Sequence, residues 1–189
     1  VASSIAVETI AKTAPQSADA ARLAAAVEAA NAAVIEAALN GLGKPGMGCT
    51  ATCAYIENDT LAIAHVGDSR AYLLHEGTLI RVTRDHSYVE ELVDAGEITA
   101  DEARVHPNRS VITRALGSDP AMYADHFTLH IEEGDRLILC SDGLSSMIPD
   151  SDIENIATQS STAQICVDNL VDAALAAGGH DNVTVVVVD

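Results

Sequence analysis

Three aspartates stand at the ends of strongly apolar segments, and their carboxylates are well suited to chemistry. Asp68 follows TLAIAHVG, Asp142 follows DRLILCS, and Asp181 precedes VTVVVVD. Strand ends can converge at one edge of a sheet, and carboxylates gathered there repel one another unless a cation is present. A divalent metal relieves that repulsion and lowers the pKa of its bound water. The pattern therefore predicts a candidate divalent-metal site whose bound water becomes a better nucleophile.

Each aspartate also has an ordinary structural alternative, because Asp is common in glycine-containing turns and as a helix cap. Asp142 is the strongest candidate ligand, since the neighbouring Gly143 leaves the backbone free to approach a ligand. The three aspartates lie far apart in the sequence, so folding would have to assemble the site. That spacing excludes the local loop of an EF-hand.

Other motifs disfavour competing enzyme classes. The string GLGKPG satisfies G-x-G-x-x-G, but it follows a helical pattern and contains Pro45, so we interpret it as a plain loop. No G-x-x-x-x-G-K-[ST] phosphate loop is present. Ser69 lies in no G-x-S-x-G elbow, which argues against a serine hydrolase.

The charge composition excludes some classes of binding partner. The chain has 28 acidic and 10 basic residues and a net charge of −18. Such a surface repels nucleic acid and anionic membranes, so we expect neither as a partner. The four cysteines form no C-x-x-C motif and are predicted to be free thiols, which favours a reducing, cytoplasmic location; they are Cys49, Cys53, Cys140 and Cys166.

The first part of the sequence predicts helices followed by hairpins. One helix should end before Pro15, and a longer one, capped by Ser17, should end near Asn40. Two strand pairs should turn at residues 58–59 and 76–77.

The second part predicts two short helices in a polar segment, then strands and helices again. HFTLHI and DRLILCS are predicted to be strands joined by a turn at residues 132–134. Two helices and a closing strand, VTVVVVD, should follow. Because this last strand is apolar without alternation, we predict a central strand covered on both faces. The whole pattern indicates an α+β protein with mainly antiparallel sheet.

Several strings, in one order from Val1 to Asp189, together resemble the bacterial metal-dependent serine/threonine protein phosphatases of type 2C. They are GMGCTAT, HVGDSRAYLL, TRDHSYVEELVDAGEIT, HPNRSVITRALG, GDRLILCSDGLS and GGHDNVTVVVVD. The resemblance implies an α-β-β-α sandwich of two mainly antiparallel sheets flanked by helices. It also implies a single catalytic domain over residues 1–189, with a flap at about residues 84–114.

The resemblance implies a binuclear Mn²⁺ or Mg²⁺ centre, with a third ion in bacterial members. In this family a metal-bridging water attacks the phosphorus of phosphoserine or phosphothreonine without a phosphoenzyme. Asp142 and Asp181 resemble ligands of the second metal, and Asp68 resembles a ligand, with Asp142, of the third. Gly143 belongs to the Asp142 turn, and Asn182 resembles the residue that braces the Asp181 turn.

The resemblance also implies roles for two residues of the flap. Ser110 matches the position near the third metal. Arg109 is expected either to contact a phosphopeptide or to be an ordinary solvated arginine of the loop.

The chain departs from the family in one respect. Family members carry an upstream segment whose Asp bridges both metals, whose Gly supplies a carbonyl, and whose Arg grips the phosphate. No such segment occurs in this sequence, which begins with Val1. We therefore expect a fragment that lacks the N-terminal strands, whose first metal has no protein ligands and whose metal binding is weakened.

Two functions from different classes follow. The first is a protein serine/threonine phosphatase that acts on phosphorylated proteins, among them a serine/threonine kinase. The alternative is a catalytically inactive binding or regulatory module with the same fold. A homodimer is a further expectation, because a second copy could supply the missing strands.

Overall fold

A computed structural model describes residues 1–189. Its elements, in chain order, are α1 (Ala2–Thr13), α2 (Ala20–Leu39), β1 (Ala51–Glu57), β2 (Thr60–Val66), β3 (Arg70–His75), β4 (Thr78–Arg81), α3 (Tyr88–Asp94), α4 (Ala100–Val105), β5 (Asp125–His130), β6 (Arg136–Cys140), α5 (Asp142–Ser145), α6 (Asp150–Gln159), α7 (Ala163–Ala176) and β7 (Val185–Val188).

The chain forms two compact units. Unit 1 comprises Val1–Gly67 and Asp85–Ile131, and unit 2 comprises Asp68–Arg84 and Glu132–Asp189. The sequence predicted a single domain with a flap, and that organisation stays a prediction. The α+β class with two antiparallel sheets and accompanying helices is confirmed.

Unit 1 packs two long helices on a three-stranded sheet. Helix α2 is rich in alanine, the best helix former, and it buries Leu23, Val27 and Val34. Its N-cap is Asp19, whose side chain accepts a hydrogen bond from the Arg22 N–H at 3.0 Å. The expectation of a Ser17 cap was therefore wrong: the helix begins later, where a carboxylate reaches its free N–H groups.

The sheet of unit 1 has the order β1-β2-β5, with antiparallel pairing throughout. The predicted hairpin at residues 58–59 is confirmed, and Asn58 adopts a positive φ of 53° in its turn. Strand β2 is the central strand, and its residues 61–66 are all buried. Alternate members of β2, Ala62, Ala64 and Val66, pack against the helices.

The sheet of unit 2 has the order β4-β3-β6-β7, again antiparallel. The predicted hairpin at residues 76–77 joins β3 and β4. Tyr72, Ile138 and Cys140 form one core cluster with Leu144 of α5 and Leu170 of α7.

The turn predicted at residues 132–134 lies between β5 and β6, and these two strands belong to different sheets. One strand prediction was wrong. Strand β7 is an edge strand instead of a central one, and Val186 and Val188 are 48% and 39% exposed. The error concerns pairing between distant segments, which local hydrophobicity does not encode.

The four cysteines are free, as predicted; Cys140 and Cys166 are buried, whereas Cys49 and Cys53 are partly buried. None of the helices has both the length and the apolar character needed to cross a membrane.

Candidate metal centre

Strand register places Asp68 and Asp142 at the same end of unit 2's sheet. Strand β3 pairs with β6 so that Arg70 lies opposite Cys140. Asp68 precedes β3 by two residues and Asp142 follows β6 by two residues. The antiparallel pairing therefore leaves both aspartates next to the same end of the β3–β6 pair. Both residues are partly buried.

The turns that carry Asp142 and Asp181 touch through their backbones. Ser141 N–H donates to the Thr184 carbonyl at 3.0 Å. The Ser141 hydroxyl donates to the Asn182 carbonyl at 3.2 Å and accepts from the Thr184 N–H at 3.1 Å. This extends the β6–β7 pairing beyond the last paired residues, Cys140 and Val185. The Asp142 and Asp181 turns are therefore held next to each other.

Gly143 permits this contact. A Cβ added at Gly143 would lie 2.3 Å from the Asn182 carbonyl oxygen, a distance that no side chain can occupy. The sequence suggested that glycine here frees the backbone to approach a ligand. In the structure, the group that approaches Gly143 is the neighbouring turn.

Asn182 acts on the Asp181 turn through its main chain. Its backbone N–H donates to Asp181 Oδ1 at 2.7 Å, and its carbonyl accepts from Ser141. Both Asp181 and Asn182 are exposed to solvent. Carboxylate oxygens of this kind suit Mg²⁺ and Mn²⁺ chemically.

The structure contains no group of three or more His, Cys, Asp or Glu side chains arranged to hold a metal ion. Mg²⁺ is commonly held by only one or two carboxylates while it keeps several waters, so the chemistry of Asp142 and Asp181 fits such an ion without a group of three.

The two flap residues lie in unit 1, on the loop that follows α4. Arg109 and Ser110 are both exposed. The Arg109 N–H donates to the His106 carbonyl at 3.1 Å, and its guanidinium is 3.4 Å from the same oxygen. Their assigned roles stay predictions.

Sequence reasoning missed a polar cluster in unit 1, which we call the His86 cluster: His65, His86, Arg114 and Asp125. His65 and His86 are buried, with 1% and 3% exposure. His86 Nε2 lies 2.9 Å from Asp125 Oδ2, and Arg114 donates to Asp125 Oδ1 at 2.6 Å. In the sequence, the only signal for this cluster is the polar string TRDHS next to the apolar strand segments. Nothing in that string indicates that its histidine is buried.

Known protein families and relatives match most of this chain. The family model "Protein phosphatase 2C" matches residues 5–183. The serine/threonine phosphatase stp of Listeria monocytogenes is 40% identical over 144 residues, which cover 76% of this chain and 57% of that protein. The serine/threonine protein phosphatase PstP of Mycobacterium tuberculosis is 42% identical over 172 residues, covering 89% of this chain and 32% of PstP. The chain thus spans between about a third and three fifths of the length of these curated relatives.

Solved structures agree as well. The crystal structure of M. tuberculosis PstP/Ppp aligns with a TM-score of 0.90 at 38% identity, over 98% of this chain and 80% of that one. The catalytic domain of PstP in complex with two manganese ions aligns with a TM-score of 0.87 at 36% identity, over 100% of this chain and 81% of that one. On the match to the family model, together with these relatives, the chain belongs to the protein phosphatase 2C family.

Proposed function

We propose that this chain carries part of the catalytic machinery of a metal-dependent protein serine/threonine phosphatase. The observation that carries the proposal is the contact between the Asp142 and Asp181 turns, and Asp68 precedes the strand that pairs with β6 at this end. Family membership supports the same reaction, since the relatives are named serine/threonine phosphatases.

In this proposal Asp142 and Asp181 hold one Mn²⁺ or Mg²⁺ ion, and Asp68 with Asp142 holds a further one. When bound, such an ion supplies Lewis-acid chemistry: it neutralises phosphate charge and makes water a stronger nucleophile near neutral pH. Gly143 and Asn182 keep the two turns in contact through the backbone. The substrates would be proteins that carry phosphoserine or phosphothreonine, with a serine/threonine kinase among them.

The direct test is hydrolysis of a phosphothreonine peptide with Mn²⁺ and with EDTA. We expect Mn²⁺-dependent turnover that falls by more than about 100-fold in Asp142→Asn, because even residues behind metal ligands cost 10- to 100-fold. Asp172→Asn, at an exposed position of α7, is the matched control and should behave like the parent chain. Turnover that survives in EDTA, or in Asp142→Asn, would contradict the proposal.

The flap proposal concerns Arg109, an exposed cation on an otherwise acidic chain. If Arg109 contacts the phosphopeptide, Arg109→Ala should raise KM for the peptide by about 3- to 10-fold and change kcat little, because an exposed ion pair contributes modest binding energy. Steady-state kinetics measure this, with Arg22→Ala, a second exposed arginine of unit 1, as control. An unchanged KM would identify Arg109 as an ordinary solvated residue. Ser110 is proposed to lie near the third ion.

A second candidate is a binding or regulatory module without catalysis. The observation that favours it is the lack of any metal-capable group of three side chains. Mn²⁺ titration by calorimetry separates the two candidates. Micromolar binding that is lost in Asp142→Asn supports the enzyme, and no binding at all supports the module.

Two further proposals concern the cellular location and the oligomeric state. A cytoplasmic location is supported by the four free thiols, since a reducing compartment keeps cysteines unpaired. A homodimer is supported by the unpaired edge of β7, because exposed strand edges can pair with a second chain. Sedimentation equilibrium over a range of protein concentrations tests the dimer.

A further inference from the structure

The His86 cluster has no role in the proposed function, although two of its members are buried. The His65 and His86 rings lie 5.0 Å apart between centroids. His65 Nδ1 is 2.9 Å from the Thr52 hydroxyl. Buried polar groups are costly unless they are hydrogen-bonded, so a cluster of this kind requires an explanation.

The contacts of His86 determine which ring nitrogen carries its proton. The Gly67 backbone N–H donates to His86 Nδ1 at 3.0 Å, so Nδ1 is an acceptor and carries no proton. Nε2 must then carry the proton, and it donates to Asp125 Oδ2 at 2.9 Å. His86 is thus assigned as the neutral Nε2–H tautomer, oriented by a partner on each side.

Asp125 is in turn held by Arg114, which also contacts Tyr123. Arg114 donates to Asp125 Oδ1 at 2.6 Å, and the Arg114 guanidinium lies 4.1 Å from the centre of the Tyr123 ring. The Tyr123 hydroxyl is 3.1 Å from Arg114 as well. A continuous chain of contacts therefore runs from exposed Tyr123 to the buried His86 ring.

His86 binds both polar groups of the Gly67 backbone. Its ring Nδ1 accepts from the Gly67 N–H, and the backbone N–H of His86 donates to the Gly67 carbonyl at 2.8 Å. Gly67 has φ of +111°, and an added Cβ would lie 2.3 Å from the Thr50 side chain. Only glycine fits this position, and the two hydrogen bonds with His86 hold its backbone.

Gly67 directly precedes Asp68 in the chain. We propose that His86 is a positioning residue for the Asp68 carboxylate, because it fixes the backbone of Gly67 and so the direction in which the chain enters Asp68. The Arg114–Asp125 pair fixes the tautomer that makes this possible. The inference rests on the proposed function, in which Asp68 holds a divalent cation.

The experiment compares His86→Leu with His86→Asn and His86→Gln in the full chain. The asparagine amide oxygen can take the place of Nδ1 and accept from Gly67, whereas the glutamine amide reaches towards the position of Nε2. The matched control is His126→Leu, on the exposed side of β5. Asp68→Asn provides the reference for loss of the carboxylate.

Two readouts are needed. The first is hydrogen exchange of the Gly67 amide in the metal-free protein, measured by NMR. The second is the Kd for Mn²⁺ by calorimetry. We expect His86→Leu and His86→Gln to speed Gly67 exchange and to weaken Mn²⁺ binding by about 10- to 100-fold, as loss of a ligand's support commonly does. His86→Asn should recover most of both properties, and His126→Leu should change neither.

The outcomes separate this inference from the proposed function. Weaker Mn²⁺ binding in Asp68→Asn with parent-like binding in all His86 variants would overturn the positioning role and leave the function intact. A parent chain that binds no Mn²⁺ would overturn both. If His86→Leu fails to fold, equal Mn²⁺ affinities of His86→Asn and His86→Gln would still overturn the inference, because only asparagine keeps the acceptor for Gly67.

Discussion

At the scale of single residues, the neighbours of each aspartate decide what it does. Asp19 caps α2, and Asp125 anchors a buried histidine. Asp142 and Asp181 stand on turns held together by hydrogen bonds of the Ser141 backbone and hydroxyl. The same side chain is therefore a cap, a structural anion or a candidate ligand according to the groups that face it.

The lowered pKa of Asp125 predicts that the stability of the folded chain depends on pH. Burial by itself raises the pKa of Asp125, but the hydrogen bonds from His86 and Arg114 and the positive charge of Arg114 outweigh it and lower the pKa below its usual 3.8. A lowered pKa means that the carboxylate stabilises the folded state fully above about pH 3.8. The contribution disappears as the pH falls through the lower folded-state value.

Asp125→Asn should therefore be less stable than the parent at pH 7, by about 1 to 3 kcal/mol for loss of charged hydrogen bonds. That difference should begin to shrink below about pH 3.8, where the unfolded-state carboxylate takes up its proton, and disappear as the pH falls through the lower folded-state pKa. Urea unfolding at pH 7, 5, 4 and 3 measures it, with Asp172→Asn as control. A difference that stays constant down to pH 3 would contradict the assignment.

At the scale of secondary-structure elements, the edge position of β7 determines which of its valines are buried. Val185 and Val187 pack against the core of unit 2, whereas Val186 and Val188 face solvent. Strand side chains alternate between the two faces of a sheet, so one face of an edge strand can stay exposed even in a run of four valines.

Two matched substitutions test this alternation. Val187→Thr places a hydroxyl against the core and should lower the free energy of unfolding by about 1 kcal/mol or more. Val186→Thr keeps the β-branched shape on an exposed face and should change it by less than about 0.5 kcal/mol. Urea unfolding compares the two. Equal losses would indicate that both faces of β7 are covered.

At the scale of the whole molecule, the excess of acidic residues dominates the electrostatics. A net charge of −18 on 189 residues makes the folded chain repel itself. Salt screens such repulsion over a Debye length of about 30 Å at 0.01 M and about 8 Å at 0.15 M.

We therefore expect the Tm to rise between about 10 mM and 150 mM NaCl in the presence of EDTA, which removes divalent ions. A gain of 1 kcal/mol corresponds to roughly 2–4 °C for a chain of this size. Differential scanning calorimetry measures the change. A Tm that falls with salt would mean that specific ion pairs, such as Arg136 with Asp189, outweigh the general repulsion.

The amino-acid sequence by itself determined the local elements and the family. Periodicity and turn residues predicted α1, α2 and the hairpins at residues 58–59 and 76–77, because these depend on neighbours in the chain. The string of motifs was specific enough to indicate the type 2C phosphatases, and the family model confirms it.

Only the tertiary structure decided the pairing of distant segments and the burial of polar ones. Strands β5 and β6 belong to different sheets, and β7 lies at a sheet edge. His86 is buried, with its ring hydrogen-bonded to Gly67. The physical reason is that these choices depend on contacts between residues far apart in the chain. Hydrophobic patterning reports how apolar a segment is, but it does not report which partner covers it.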